Sequence, residues 1–267
     1  MTTPTKQVAK RDNGALAIPD DQTGLSGEFG RADIVMPVCS LAQPMSQDKG
    51  NEGRFWFPDG RSLETMETVV LNVLATRTLW GPIDSGIGAP LCRSVDRKMG
   101  ITSYASFVEA PGPMEESDQT YVPCSDCRFH NTATNFEKID GLWCPYGYTL
   151  LMVDVELGEP FIYFIKGMQT RAVRQRIVSP ILMRFQQTGK VTPWANRFTW
   201  TPRLVEEKEK KRKYWVADIQ ASEPISDDDQ DFYRELSASL RGAAERTMEE
   251  EPEPPADTGK QAEMAEA

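Results

Sequence analysis

The alternation of apolar and polar positions predicts a chain built mainly of β-strands. The strongest segment is residues 68–80, which is long and rich in β-branched side chains. Residues 148–156 and 160–166 flank a short turn and predict a hairpin. A second hairpin is predicted from residues 194–204 and 214–219, joined by a charged tip.

A helix is predicted between these two hairpins. Ser179-Pro180 could start a second helical piece, with Ser179 as its cap and Pro180 at its first position. Gly189 ends the segment. One face is apolar, since three residues recur at a spacing of four: Val173, Ile177 and Ile181.

The C-terminal part predicts an amphipathic helix followed by a tail. Residues 227–247 have aspartates at the start, where the helix dipole favours them, and Phe232, Leu236 and Leu240 at a spacing of four. The Glu- and Pro-rich residues after them cannot form a packed core, and the N-terminal residues show little periodic hydrophobicity.

The order of strands, helix and two further strands predicts a Greek-key barrel of the OB type, whose open face commonly binds single-stranded nucleic acid. The cysteine-rich segment would be a loop inserted between two of its strands. The predicted division is a flexible arm over 1–32, an OB-like β-barrel domain over 33–222 with a zinc-ribbon-like insertion at about 82–147, an amphipathic helix over 223–247 and a disordered acidic tail over 248–267.

Charge is strongly segregated along the chain, although the net charge is −10. Residues 161–222 contain 13 Lys and Arg against 4 Asp and Glu, whereas residues 223–267 contain 4 against 14. A basic block followed by an acidic tail favours a polyanionic partner more than the overall acidity does. The N-terminus lacks the apolar core of a signal peptide, and no apolar run has the length of a membrane span. We therefore expect a cytoplasmic protein with no membrane partner.

Four of the five cysteines lie in one segment that is rich in Pro, Gly, Ser and Asp. In a reducing compartment such a cluster favours a metal over disulfides. Cys124-Ser-Asp-Cys127 has the spacing of a zinc knuckle, and Cys92 and Cys144 would complete a closed structural Zn²⁺ site. Two alternatives stay open: His130 could replace Cys92, or the thiols could be reduced and unligated. Cys39 is expected to be a buried core thiol.

Conventional catalysis has little support in the sequence. The single histidine lies beside the cysteine knuckle, and no Gly-rich phosphate loop occurs. Asp154 and Glu156 could bind a metal in a nuclease, although solvated strand carboxylates are commoner. We predict that the protein is not an enzyme.

The basic block interleaves cations with aromatic residues, as single-strand binders require: cations follow the phosphates and aromatic faces stack on bases. In the predicted strand 194–204 the aromatic residues and the arginines alternate, so one face is core and the other a ligand surface. The candidate nucleic-acid-binding residues are Arg54, Trp56, Arg77, Lys166, Arg171, Arg174, Trp194, Arg197, Trp200 and Arg203.

The barrel order, the basic aromatic strands at residues 197–203 and 214–217, and the acidic stretch 249–257 together resemble phage-type single-stranded DNA-binding proteins. The resemblance implies an OB-fold core and an acidic tail that recruits replication or recombination proteins. It implies a non-catalytic protein that coats single-stranded DNA in phage or mobile-element replication or recombination, located in the host cytoplasm if phage-encoded. The alternative is a zinc-stabilised protein-interaction or transcription-regulatory module.

Overall fold

The computed structural model describes residues 35–44, 50–80, 90–104, 116–132, 138–207 and 212–249. The predicted flexible arm, and the acidic tail beyond residue 249, lie outside these ranges. The described part is mainly β, which confirms the predicted class. Its strands are β1 (Val38–Leu41), β2 (Phe55–Trp56), β3 (Ser62–Leu63), β4 (Met66–Trp80), β5 (Pro90–Ser94), β6 (Met99–Tyr104), β7 (Glu116–Pro123), β8 (Tyr146–Asp154), β9 (Pro160–Ile165), β10 (Asn196–Glu207) and β11 (Arg212–Pro224).

The long strand β4 is the centre of one open, mixed sheet. One edge of β4 pairs with β8 from Thr68 to Arg77. The other edge pairs with β10 near its start and with β5 near its end. From β8 the sheet continues through β9, β1, β2 and β3, and from β5 through β6 and β7. All of these neighbours are antiparallel except β1 and β9, which are parallel.

Among the described strands, β11 pairs with β10 alone, so the backbone ladder does not close into a barrel. A side chain bridges the gap instead. Gln43, just after β1, accepts a hydrogen bond at Oε1 from the Trp215 backbone N–H (2.9 Å) and donates one from Nε2 to the Trp215 carbonyl oxygen (3.1 Å). One amide group therefore ties the residues after β1, the first strand along the chain, to β11, the last strand along the chain.

The helices are α1 (Gln169–Val173), which continues through a π-helical turn at Arg174–Val178 into α2 (Ser179–Thr188), and α3 (Asp227–Glu249). An α-helical segment begins at Ser179 with Pro180 in its first turn, as predicted, but Ser179 is not its cap: the N-cap position is Val178, which is itself helical, and no side chain caps the turn. Pro180 has no N–H to donate to the preceding turn, and the widened turn just before it fits that missing bond. Gly189 ends α2 as predicted, at φ 69°.

The sheet is covered on both faces. On one face α1 and the π-helical turn bury Val173 and Ile177 completely against a core that includes Phe198 and Trp200. On the other face α3 packs against the strands, and Leu240 lies over a cluster of aliphatic residues. Cys39 is 1% exposed in the first core, which confirms the prediction of a buried thiol.

The cysteine-rich insertion is not the irregular loop that its composition predicts. It contains β5, β6 and β7, which extend the sheet from β4 as an antiparallel meander. These strands are short, and residues such as Met99 and Tyr121 remain exposed, so their pattern lacks the alternation that marks a half-buried strand.

Candidate functional site

The insertion brings its four cysteines to one place. Cys92 lies in β5, Cys124 and Cys127 occupy the turn after β7, and Cys144 lies two residues before β8. All four side chains line one cavity of about 20 Å³, a volume suited to a single ion or water molecule. A small core of Leu79, Leu91, Phe129 and Leu142 packs around it.

Gly100 in β6 makes room for one of these sulfurs. A Cβ atom added at Gly100 would lie 2.6 Å from Cys92 Sγ, well inside van der Waals contact. Glycine in a strand interior often marks such a close approach. The β6 backbone thus forms one wall of the site.

Backbone hydrogen bonds fix the turn that carries Cys124 and Cys127. The Cys124 N–H donates to the Lys98 carbonyl oxygen (2.7 Å), and the His130 N–H donates to the Cys127 carbonyl oxygen (2.8 Å). The Phe129 N–H is hydrogen-bonded to the Cys127 sulfur. An N–H that points at a cysteine sulfur stabilises the thiolate form, which is the form that binds metals.

Arg77, near the end of β4, is hydrogen-bonded to both cysteine-bearing segments, the one after Cys127 and the one at Cys144. It is 3% exposed, and its Nη2 donates to the carbonyl oxygens of Phe129 (3.2 Å), His130 (2.7 Å) and Cys144 (3.2 Å). The guanidinium is also hydrogen-bonded to the Cys144 thiol. The sequence analysis predicted that Arg77 binds nucleic acid. Its burial corrects that prediction, because a nucleic-acid strand could not reach the side chain in this structure.

His130 also lines the cavity, but its ring is committed to the turn. Its Nδ1 lies 2.7 Å from the Cys124 carbonyl oxygen, which makes Nδ1 a donor, and 3.3 Å from Arg77 Nη1. Because Cys92 reaches the same cavity, no replacement by His130 is needed to bring four ligands together.

Burial raises the pKa of three of these thiols, Cys92, Cys127 and Cys144. Burial raises the pKa of Cys92 to about 12, with a further contribution from the neighbouring thiols. Burial likewise raises the pKa of Cys144 to about 11, against the opposing effect of Arg77. In the described part of the chain, no three His, Cys, Asp or Glu side chains are grouped so as to hold a metal ion in their present positions.

The second candidate site is the basic block. No Asp or Glu occurs from Lys166 to Arg203. Arg171 and Arg174 are exposed on α1 and the following turn, and Arg203 is exposed on β10. Arg197 Nη1 lies 3.9 Å from Glu223 Oε2.

Aromatic rings lie beside the start of this block. Lys166 Nζ is 5.0 Å from the centroid of the Trp80 ring and 5.8 Å from that of Phe164. Lys166, Phe164 and Gln169 border an open cleft of about 330 Å³ along β1. The end of β9 therefore combines positive charge, aromatic surface and space.

The structure decides which face of β10 is the core. Phe198 and Trp200 are buried, and the Trp200 indole N–H donates to Thr68 Oγ1 at 2.8 Å. Trp200 was a predicted stacking residue, and its complete burial corrects that assignment. Arg197 and Arg203 lie on the opposite face, which is the more exposed one.

The remaining predicted residues lie elsewhere. Trp194 packs at the edge of the core beneath α3. Arg54 and Trp56 lie at β2, where Arg54 Nη2 is 3.2 Å from Glu64 Oε1. The structure thus groups Lys166, Arg171 and Arg174 in one segment, whereas Arg54 and Trp56 lie at the strand that pairs with the other edge of β1.

Asp154, a candidate nuclease ligand, has a local structural role. It is 7% exposed, and its Oδ1 accepts hydrogen bonds from the N–H groups of Glu156 (2.9 Å) and Leu157 (2.8 Å). These bonds shape the turn between β8 and β9, so turn chemistry accounts for this aspartate.

Nothing in the sequence indicates the roles of Gly100 and Gln43, because these roles depend on the folded positions of Cys92 and Trp215.

Comparison with known proteins found no match, whether to family models, curated proteins or solved structures. None of the helices in the described ranges combines the length and apolar character needed to cross a bilayer.

Proposed function

We propose that the protein is a non-catalytic single-stranded DNA-binding protein. One observation carries the proposal: the stretch from Lys166 to Arg203 has eight cations and no acid, and most of these cations are exposed, from the end of β9 through α1 and the π-helical turn, after α2 and on β10. Such a surface attracts phosphates in a manner that weakens with salt, because binding releases condensed counterions.

The strand connections support an OB-like core. A meander of β4, β8 and β9 is followed by the helix and then by the β10–β11 hairpin, with β10 antiparallel to β4. This is the order expected of an OB barrel, in which the last strand returns to the third. Here β1 and Gln43 occupy that seam. We propose that the core is a modified OB fold with an inserted module between its first two strands.

The cleft at the end of β9 offers a site for bases. Lys166 would neutralise a phosphate, while Phe164 in the cleft and the neighbouring Trp80 would offer aromatic rings to a base. Stacking on an aromatic side chain contributes about 1–3 kcal/mol per base and tolerates any sequence. Arg171 and Arg174 on the adjoining helix would continue the phosphate path.

Coating of DNA needs no chemistry. A protein that binds single strands but not duplex shifts the pairing equilibrium toward unpaired DNA by mass action. The acidic residues after 248 would serve replication or recombination partners, as in the proteins that the sequence resembles. The compartment that we propose is the cytoplasm.

The test is a fluorescence anisotropy titration of a labelled oligothymidylate over a series of KCl concentrations. The double variant Arg171→Gln/Arg174→Gln should bind more weakly, and its slope of log K against log[KCl] should fall by about 1.4, since each lost phosphate contact on a single strand removes about 0.7. The control is Arg234→Gln/Arg241→Gln, which removes the same charge from the exposed face of α3. Absence of binding at low salt, in a chain shortened to residue 249, would contradict the proposal.

A second candidate function has one observation in its favour. α2 buries none of its residues, and Leu182, Met183 and Phe185 are 55%, 63% and 45% exposed. An exposed apolar cluster within a basic segment fits a protein partner with an acidic surface. The same titration separates the two functions, since a protein-interaction module would leave the oligonucleotide unbound.

A further inference from the structure

We propose that Cys92, Cys124, Cys127 and Cys144 bind one Zn²⁺ as four thiolates, and that Arg77 is the buried counter-cation of this centre. The site is structural and is independent of the proposed DNA binding. Its residues come from four places on the insertion and its borders: β5, the turn after β7, the approach to β8, and the end of β4.

The first step is convergence. Cys92 is separated from Cys144 by about fifty residues, yet both side chains line the same small cavity as the Cys124–Cys127 turn. A cavity of about 20 Å³ is too small for an organic ligand and matches one ion. Four sulfurs around one ion give the tetrahedral coordination that Zn²⁺ adopts in structural sites.

The second step concerns the space for the Cys92 sulfur, which exists because residue 100 is a glycine. Any side chain at position 100 would collide with that sulfur, since the added Cβ would lie 2.6 Å away. The hydrogen bonds from the Cys124 N–H to the Lys98 carbonyl oxygen and from the Phe129 N–H to the Cys127 sulfur fix the turn on the opposite side. The walls of the cavity therefore leave room for the Cys92 sulfur and hold the Cys124–Cys127 turn beside it.

The third step is charge. Arg77 is a buried cation, and no carboxylate in the described ranges forms a salt bridge with it. Its Nε is buried without a hydrogen-bond partner among the described residues. A buried charge is costly unless it is paired. A Zn²⁺ ion with four thiolates carries a net charge of −2, and it would supply the missing partner at the Cys144 sulfur that Arg77 already contacts.

The fourth step is closure. The four side chains do not stand in a ligating arrangement, so binding requires them to turn about their single side-chain torsions. Zn²⁺ enters as the free ion, four S–H bonds break, four Zn–S bonds form, and four protons pass to solvent. No electron is transferred, because zinc has no redox chemistry in proteins.

The test begins with the metal content of the purified full-length chain, measured by mass spectrometry of the elements. We expect one zinc per chain, and Co²⁺ substitution should give the intense charge-transfer absorption of thiolate ligands. Cys92→Ser and Cys144→Ser should each lose most of the bound metal, whereas Cys39→Ser, a buried thiol in a different core, should retain it. A chain that takes up no zinc, or that contains iron instead, would overturn the assignment.

The role of Arg77 is tested by competition with a chelator. Arg77→Met should weaken zinc affinity by tenfold or more, and Arg77→Lys should recover part of the loss because it restores the charge without the fork of donors. Equal affinity in all three proteins would remove Arg77 from the proposal. If Arg77→Met does not fold, the Arg77→Lys protein and the wild-type metal content still decide the result. A zinc-free protein that binds oligonucleotide contradicts only this inference, and a zinc protein that does not bind contradicts only the proposed function.

Discussion

Trp200 is a core residue whose one polar group makes a buried hydrogen bond. Trp200 is 0% exposed, stacks edge-on against Tyr163 with ring centroids 5.7 Å apart, and donates its indole N–H to Thr68. Thr68 is itself fully buried on β4. This pair joins β10 to β4 from inside the core.

Replacing Thr68 with Val should therefore destabilise the fold. The substitution keeps the shape of the side chain but leaves the Trp200 N–H buried without an acceptor, at a cost of about 1–3 kcal/mol. Urea unfolding followed by tryptophan fluorescence measures the change. Thr201→Val, on the exposed face of β10, is the matched control and should leave the midpoint unchanged.

Replacing Gly100 with Ala should weaken the metal site. The new methyl group would meet Cys92 Sγ at 2.6 Å, and backbone on either side of β6 limits its escape. We expect lower zinc retention under chelator competition than in the wild type. Met99→Ala, at the neighbouring exposed position of the same strand, should retain zinc normally; loss of zinc there would point to damage to the strand instead.

The residue pattern could predict the alternation in β10 but not its direction. Trp200 and Arg203 occupy opposite faces, as their spacing requires, and both types of residue are suited to a ligand surface. Only the position of α1 above the aromatic face made that face the core. Arg77 follows the same logic, since a basic residue in a strand gives no sign that it will support a cysteine cluster.

At the scale of elements, α3 is a packed part of the fold. The predicted apolar stripe is partly correct: Leu240 is 4% exposed, but Phe232 is 52% exposed and Tyr233 packs in its place. Ser226 begins the helix by accepting the Asp229 N–H (3.3 Å), and Ser237 Oγ donates to the Leu71 carbonyl oxygen (3.0 Å). At the N-terminal end of α3 the side chain that faces the sheet is therefore Tyr233, one residue after the predicted Phe232.

Replacing Leu240 with Ala should lower stability much more than replacing Phe232 with Ala. Leu240→Ala removes a buried side chain under the sheet and should cost about 2–5 kcal/mol. Phe232→Ala, on the exposed side of the same helix, should change stability by less than about 0.5 kcal/mol. Thermal unfolding of both variants provides the comparison. Equal losses would mean that α3 does not dock as described.

The long elements were predictable and the short ones were not. β4, β8, β9, β10 and β11 all have strong apolar runs, and their positions in the structure match the sequence prediction within a few residues. The three strands of the insertion are stabilised by their neighbours in the sheet and by the small core behind the cysteines. That support depends on the tertiary structure and leaves little trace in local sequence.

At the scale of the whole molecule, the insertion and the sheet should respond differently to removal of metal. If zinc supplies the folding free energy of the insertion, a strong chelator should expose residues 90–144 to hydrogen exchange. β8 and β9, which pair over six residues and carry buried side chains, should stay protected. Oligonucleotide affinity should remain unchanged, because the basic block lies outside the insertion. Protection lost everywhere at once would show that the insertion is integral to the core.

The amide of Gln43 has a consequence for how the molecule opens. Elsewhere in the described sheet, neighbouring strands are joined by ladders of backbone bonds, whereas at this seam one side chain supplies two. A break there leaves β1 paired with β9 and β2, and leaves β11 paired with β10. Gln43→Met should therefore accelerate deuterium uptake at Trp215 while the global unfolding midpoint moves little. We therefore expect β11 to separate locally from the residues after β1 while the rest of the sheet stays folded.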